Sequence, residues 1–113
     1  MGLKVKTIDD VTIVVPSGKL MGGKDTDELR DMIKSLISDN SLKVVIDLSK
    51  VKWMNSIGLG TLMACFTSVA VAGGDLKLAG VADKVQSLLM VTQVITLFEH
   101  YDTAKRAAAA FKE

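Results

Sequence analysis

The chain has 113 residues, enough for one domain with a real core and short for an enzyme with a separate substrate lobe. Lys and Arg number 14 against 13 Asp and Glu, a formal charge of +1, and aromatics are 4% of residues. No basic patch interleaved with aromatic side chains is visible, so nucleic acid is not an expected partner. One cysteine excludes an internal disulfide, and Cys65 with His100 falls short of the four ligands of a structural zinc site. With no signal-peptide pattern, a cytoplasmic protein without metal or cofactor is expected.

Taken in order, Leu3-Lys4-Val5-Lys6-Thr7-Ile8 alternates apolar and polar as a half-buried strand does. Asp9-Asp10 is a turn, and Val11 to Val15 resumes as a β-branched run, which predicts a hairpin. Pro16 cannot donate to a ladder, so a bulge or an open edge is expected there. Gly18-Lys19-Leu20 and the flexible loop Met21-Gly22-Gly23 follow, with turn geometry at the paired glycines. Helix one is expected to open at Asp25, with Glu28 three residues on as an Asp version of the capping box. Leu29, Met32, Ile33, Leu36 and Ile37 then form one apolar stripe.

Asp39-Asn40-Ser41 ends that helix, and Val44-Val45-Ile46 is a short continuous apolar run, suited to a strand covered on both faces. Asp47 and Ser49 read as a strand-end turn. A short loop then leads into helix two, Ser56 to Ala72, with Leu59, Leu62, Met63, Phe66, Val69 and Ala70 expected to face the sheet. Gly60, Ala64, Cys65, Thr67 and Val71 make the rest of that helix apolar or small too, as in a helix buried on both sides or carrying a sticky face. No charge occurs from Trp53 to Gly74, about the length of a membrane span. Its glycines and hydroxyls, and the absence of flanking basic residues, favour a buried or partner-facing helix over direct membrane insertion.

Gly73-Gly74 closes helix two, with one of them expected in the left-handed position. Asp75 to Gly80 alternates as the next strand. Val81 to Met90 is predicted as a third helix with Val85, Leu88 and Leu89 inward, and Val94 to Phe98 as a last short strand or an anchored loop. Asp102 or Thr103 caps a final helix whose modest apolar face is Ala104, Ala107, Ala108 and Phe111. The succession β-β-α-β-α-β-α-β-α predicts one α/β domain over residues 1–113. Its sheet is mixed and mostly parallel, of about four or five strands flanked by about four helices.

Catalytic patterns are missing. Gly58-Leu59-Gly60 lacks the third glycine of a dinucleotide loop, having Met63 there, and no Gly-Lys-Ser/Thr is present. Gly-x-Ser-x-Gly fails at Met54, and His100, the single histidine, reads as a surface residue beside the last strand. Cys65, mid-helix among apolar neighbours, reads as packed. The chemistry concentrates instead at the start of helix two. Ser56 sits where a strand and loop pass into the helix, and the unpaired N–H groups and positive dipole there favour an anion, with Asn55 or Ser56 able to cap. A phosphate on Ser56 would be tolerated by the helix while changing the surface. Met21 and Met54 fall in the two loops nearest Ser56 and read as apolar anchors.

Ile46-Asp47-Leu48-Ser49, then Trp53-Met54-Asn55-Ser56-Ile57-Gly58-Leu59-Gly60, then Gly73-Gly74-Asp75-Leu76 and the Val85, Leu89 and Phe98 anchors resemble the STAS domain, above all bacterial anti-sigma factor antagonists. The resemblance runs over nearly the whole chain. It implies a non-enzymatic partner switch. In that family the unmodified antagonist binds an anti-sigma factor that is also a serine kinase of the histidine-kinase ATPase fold. Phosphorylation of the serine matching Ser56 dissociates the complex, and a PP2C-type phosphatase resets it. Met21, Gly22, Gly23, Asn55, Ser56, Ile57, Gly58 and Leu59 would make the partner surface. At two positions where the family has Asp, this chain has Asn55 and Met21. Two rival readings are a STAS scaffold or transporter auxiliary that is never phosphorylated, and a small-anion or nucleotide binder using the start of helix two.

Overall fold

The computed structural model of the chain describes residues 3–81 and 98–112. Strands β1 (Leu3–Ile8) and β2 (Val11–Leu20) form the expected antiparallel hairpin, in register from Ile8↔Val11 to Leu3↔Pro16. Helix α1 (Lys24–Ser38) leads to β3 (Lys43–Asp47) and β4 (Lys50–Met54). Helix α2 (Ser56–Val71), β5 (Asp75–Ala79), β6 (His100–Tyr101) and α3 (Ala104–Ala110) complete the described chain. The sheet runs β1-β2-β3-β5-β6 with β4 joined to β2, and every pairing except the hairpin is parallel. It is therefore mixed and mostly parallel, with six strands among the described residues. The helix expected over Val81 to Met90, and most of Val94 to Phe98, lie outside them. Phe98 itself is buried, its ring edge-on to Phe66 at 5.1 Å.

Several local expectations change. β2 continues past Val15 to Leu20, and the segment Lys50–Met54, read as a loop, is a strand parallel to that extension. Pro16 is tolerated because β3 pairs only as far as Val14 and β4 begins at Ser17, so Pro16 falls between the two parallel ladders. The register shift lies at Gly18/Lys19 rather than at the proline. Only Leu48 and Ser49 separate β3 from β4, and two residues cannot carry the chain across β2, so both strands lie on the same side of it.

Helix α1 starts one residue earlier than expected, with Gly23 in the N-cap place and no side-chain cap, so the Asp25–Glu28 capping box does not form. The last described strand is His100–Tyr101, where His100 is exposed.

The buried arc of α2 also differs. Gly58, Leu59, Thr61, Leu62, Cys65 and Val69 are buried, whereas Met63 and Ala70 face solvent. A helix apolar on every side does not select its inner face by periodicity, and here α1 draws the Thr61–Cys65 side inward: Arg30 Nη2 donates to Thr61 Oγ1 at 3.4 Å. The α1 stripe is as expected, with Leu29, Ile33 and Leu36 buried and Met32 and Ile37 partly so.

Val44 and Ile46 enter the core beneath α1 and α2, while Val45 enters a second cluster beneath α3, so β3 is covered on both faces. The alternation in β5 does not mark a solvent face. Lys77 is only 4% exposed, and its Nζ lies 3.1 Å from Asp75 Oδ2, 2.6 Å from Glu99 Oε2 and 4.8 Å from the centre of the Phe111 ring. Gly73, at φ 93°, takes the left-handed position after α2. Thr103 rather than Asp102 caps α3, accepting from the Arg106 amide at 3.2 Å. No helix among the described residues is long and apolar enough to cross a membrane.

Candidate functional site

The ends of β2 and β4 bring two separate stretches, residues 20–23 and 55–58, into contact. Leu20 pairs with Met54, the Asn55 amide donates to the Leu20 carbonyl at 3.3 Å, and Asn55 Nδ2 reaches the Met21 carbonyl at 3.5 Å. Gly58 makes this approach possible, since a Cβ there would collide with the Leu20 carbonyl. On the loop side, Gly22 and Gly23 hold φ of 95° and 81°, a left-handed pair that turns the chain into α1. The Gly22 amide is held by Thr26 Oγ1 at 2.9 Å, and a Cβ at Gly22 would come into ordinary contact range of the Ile57 side chain.

Asn55, in extended conformation, caps α2. Its Oδ1 accepts from the amides of Ile57 at 3.0 Å and Gly58 at 3.1 Å. An aspartate there would keep both bonds but would set a carboxylate, with no proton to give, against the Met21 carbonyl; the amide has a donor for it. The cap also uses two of the donors that an anion would need, which weakens the anion-binding reading of this helix start. Ser56 is left uninvolved: it is exposed, and its hydroxyl makes no hydrogen bond among the described residues. Around it stand Ile57, 56% exposed, and Met21, 44% exposed, an apolar rim of the kind that marks a contact surface.

The expected surface residues thus meet, but not all as surface. Met21, Gly23, Ser56 and Ile57 are exposed, and Gly22 and Asn55 are half-buried. Gly58 and Leu59 are buried, the first against Leu20 and the second in the core, so they position the surface without presenting a side chain. Met54 is half-buried and packs on the core as an anchor, whereas Met21 is open. Thr26, which no sequence pattern marks, fixes the loop through Gly22, and Trp53, the aromatic of the family-like motif, is 47% exposed and sits on β4, not in a loop, opposite Lys19. The alternation Lys50-Val51-Lys52 was the available signal for that strand.

Elsewhere the titratable groups are structural. Burial pushes the Cys65 thiol up to about 11, so it stays protonated and unreactive at neutral pH. Asp47 Oδ1 accepts from the Ser49 amide at 2.9 Å, the expected strand-end turn. Among the described residues no three His, Cys, Asp or Glu side chains gather as a metal site would require.

The family model for the STAS domain matches residues 3–107. This chain belongs to the STAS domain family. A Thermotoga maritima protein, provisionally named an anti-sigma factor antagonist, is 28% identical over 107 residues, 90% of each chain. The crystal structure of an anti-sigma factor antagonist from Mycobacterium paratuberculosis superposes with a TM-score of 0.84 at 25% identity, over 99% of this STAS domain and 94% of that chain. The phosphorylated form of the Bacillus cell fate determinant SpoIIAA superposes with a TM-score of 0.76 over 97% of this chain and 99% of that one; at 12% identity the likeness concerns the fold alone.

Proposed function

We propose that this STAS domain is an anti-sigma factor antagonist that works by partner switching and has no catalytic role of its own. The surface of Met21, Gly22, Gly23, Asn55, Ser56 and Ile57 receives an anti-sigma factor that is a serine kinase of the ATPase fold. That kinase moves the γ-phosphoryl of ATP to Ser56 Oγ, whose proton is lost, and the complex separates. A PP2C-type phosphatase hydrolyses the phosphoserine and restores binding. The observation that carries this reading is the division of labour between neighbours: Asn55 holds the helix and leaves the exposed Ser56 hydroxyl unengaged. A phosphate at the first helical position meets a favourable dipole, so the fold persists. Its roughly two negative charges, placed among Met21 and Ile57, oppose burial in an apolar interface.

The test is a pull-down from lysate of the source organism with wild-type and Ser56→Glu baits of equal thermal stability. An ATPase-fold kinase captured by wild type and lost with Ser56→Glu supports the switch. A partner held equally by both baits favours a constitutive scaffold, the reading to which Asn55 and Met21, in place of the family's acids, lend weight.

A further inference from the structure

The face of the sheet that carries α3 is only partly covered among the described residues. Ile8, Val11, Ile13 and Val15 belong to the cluster under α3, and Lys4 and Lys6 stand opposite Val15 and Ile13, so both lysines are on that face. Beyond the hairpin, Lys50 stands opposite Ser17. Two adjoining grooves open here. One, of about 260 Å³, is lined by Lys4, Val15, Ser17 and Lys50. The other, of about 600 Å³, lies between Lys6 and Ile8 on β1 and the start of α3, with Lys105, Asp47 and Asp102 on its walls. Lys4, Lys6 and Lys50 are exposed and make no ion pair among the described residues, whereas Lys43 and Lys112 are paired with Asp10 and Asp9 at 2.7 and 2.8 Å.

We propose that these grooves take an extended acidic segment of a partner protein, with its carboxylates at the Lys4–Lys6–Lys50 end and an apolar side chain over Val15. Lys4 and Lys6 are two residues apart on one strand, about 7 Å, which is also the spacing of alternate side chains in an extended peptide. An acid-x-acid sequence therefore meets both ammonium groups in step. Asp47 and Asp102, which line the larger groove together with Lys6, oppose a uniformly charged polyanion such as nucleic acid, but a polypeptide can change its charge along its length. The walled groove with an apolar floor likewise gives nothing to a flat lipid surface.

The test is fluorescence anisotropy with labelled Gly-Glu-Val-Glu-Val-Glu-Gly, alongside oligo-dT and phosphatidylglycerol vesicles, followed by amide chemical-shift mapping. The expected result is binding of the acidic peptide that weakens with salt, with shifts confined to β1, residues 15–17, residues 47–50 and the start of α3. The triple variant Lys4→Gln, Lys6→Gln, Lys50→Gln should lose affinity by about tenfold or more, as loss of close charge pairs at an interface does. If that variant fails to fold, K4Q alone carries the comparison. Ser56→Glu should leave peptide binding unchanged, which separates this groove from the switch surface. Three results would each overturn the proposal: no binding, binding indifferent to the lysines, or tighter binding of oligo-dT or vesicles than of the peptide.

Discussion

On one face of the sheet, α1 and α2 press Leu29, Ile33, Leu59 and Leu62 onto Val14, Val44, Ile46, Leu76 and Leu78. On the other, the seven residues of α3 cover Val11, Ile13, Val45 and Ala79 with Ala104, Ala107 and Ala108, and lysines stand beside them in the open. Large branched side chains contribute about 1.5–3 kcal/mol each on full burial, and alanine much less. Most of the folding energy therefore comes from the first face. On that second face Lys77 also packs against the end of α3, its buried ammonium lying between Glu99 and the Phe111 ring. Stability and free surface are thereby kept on different sides of the same strands. The Ser56 surface lies at the start of α2, whose Leu59 and Leu62 are buried on the first face.

The largest expected effect breaks the stiff face. Leu62→Ala removes a side chain of zero exposure from the centre of the α2 contact and should cost about 3–5 kcal/mol, measured by urea unfolding. A loss under about 1 kcal/mol would mean that the two faces do not differ as described.

Next comes Lys77. Asp75→Asn with Glu99→Gln strands a buried ammonium; breaking such a pair costs about 3–5 kcal/mol, and because both carboxylates are half exposed about 2 kcal/mol is expected. Lys77→Met, which keeps the packing on Phe111, should stay within about 1 kcal/mol of wild type. The pH dependence has a definite sign. The hydrogen bond from Lys77 holds the Glu99 carboxyl below its ordinary value, so this contribution is present above the usual carboxylate range and lost as pH falls through the lowered value. Burial pulls Lys77 down, but Glu99 and Asp75 outweigh it and hold it above the ordinary lysine value. Its contribution is full below that ordinary value and lost as pH rises through the raised one. Unfolding measured against pH should therefore show a plateau through neutrality, and the double variant should lose the part of the acid limb that Glu99 supplies.

The smallest effect is at the start of α2, beside Ser56. Asn55→Ala removes two cap bonds and should cost about 1 kcal/mol, while Asn55→Ser should recover most of it, both read from thermal melts. If Asn55→Ala were neutral, Ser56 would have to be the residue holding the helix start, and the hydroxyl would not be free for modification.

Much of this was legible in the chain. The α1 stripe, the unbroken Val44–Ile46 run, the Asp47 turn and the left-handed glycine after α2 follow from local rules of period and conformation, which need no knowledge of neighbours. Three features depend on what lies across the sheet. Pro16 and Gly18 argue locally for a strand end, yet β2 continues because β4 arrives to pair with it. Lys77 alternates like a surface residue, yet α3 and Glu99 enclose it. The face of α2 was open to choice because all its sides are apolar, and packing against both α1 and the sheet made the choice. Sequence by itself determined the hairpin, the α1 stripe, the β3 run, the family likeness and the position of Ser56. Tertiary structure decided which of two neighbours, Asn55 or Ser56, caps the helix, and it also decided which lysines are buried and which are free. Both are questions of partners distant in the chain, and such partners leave no period in it.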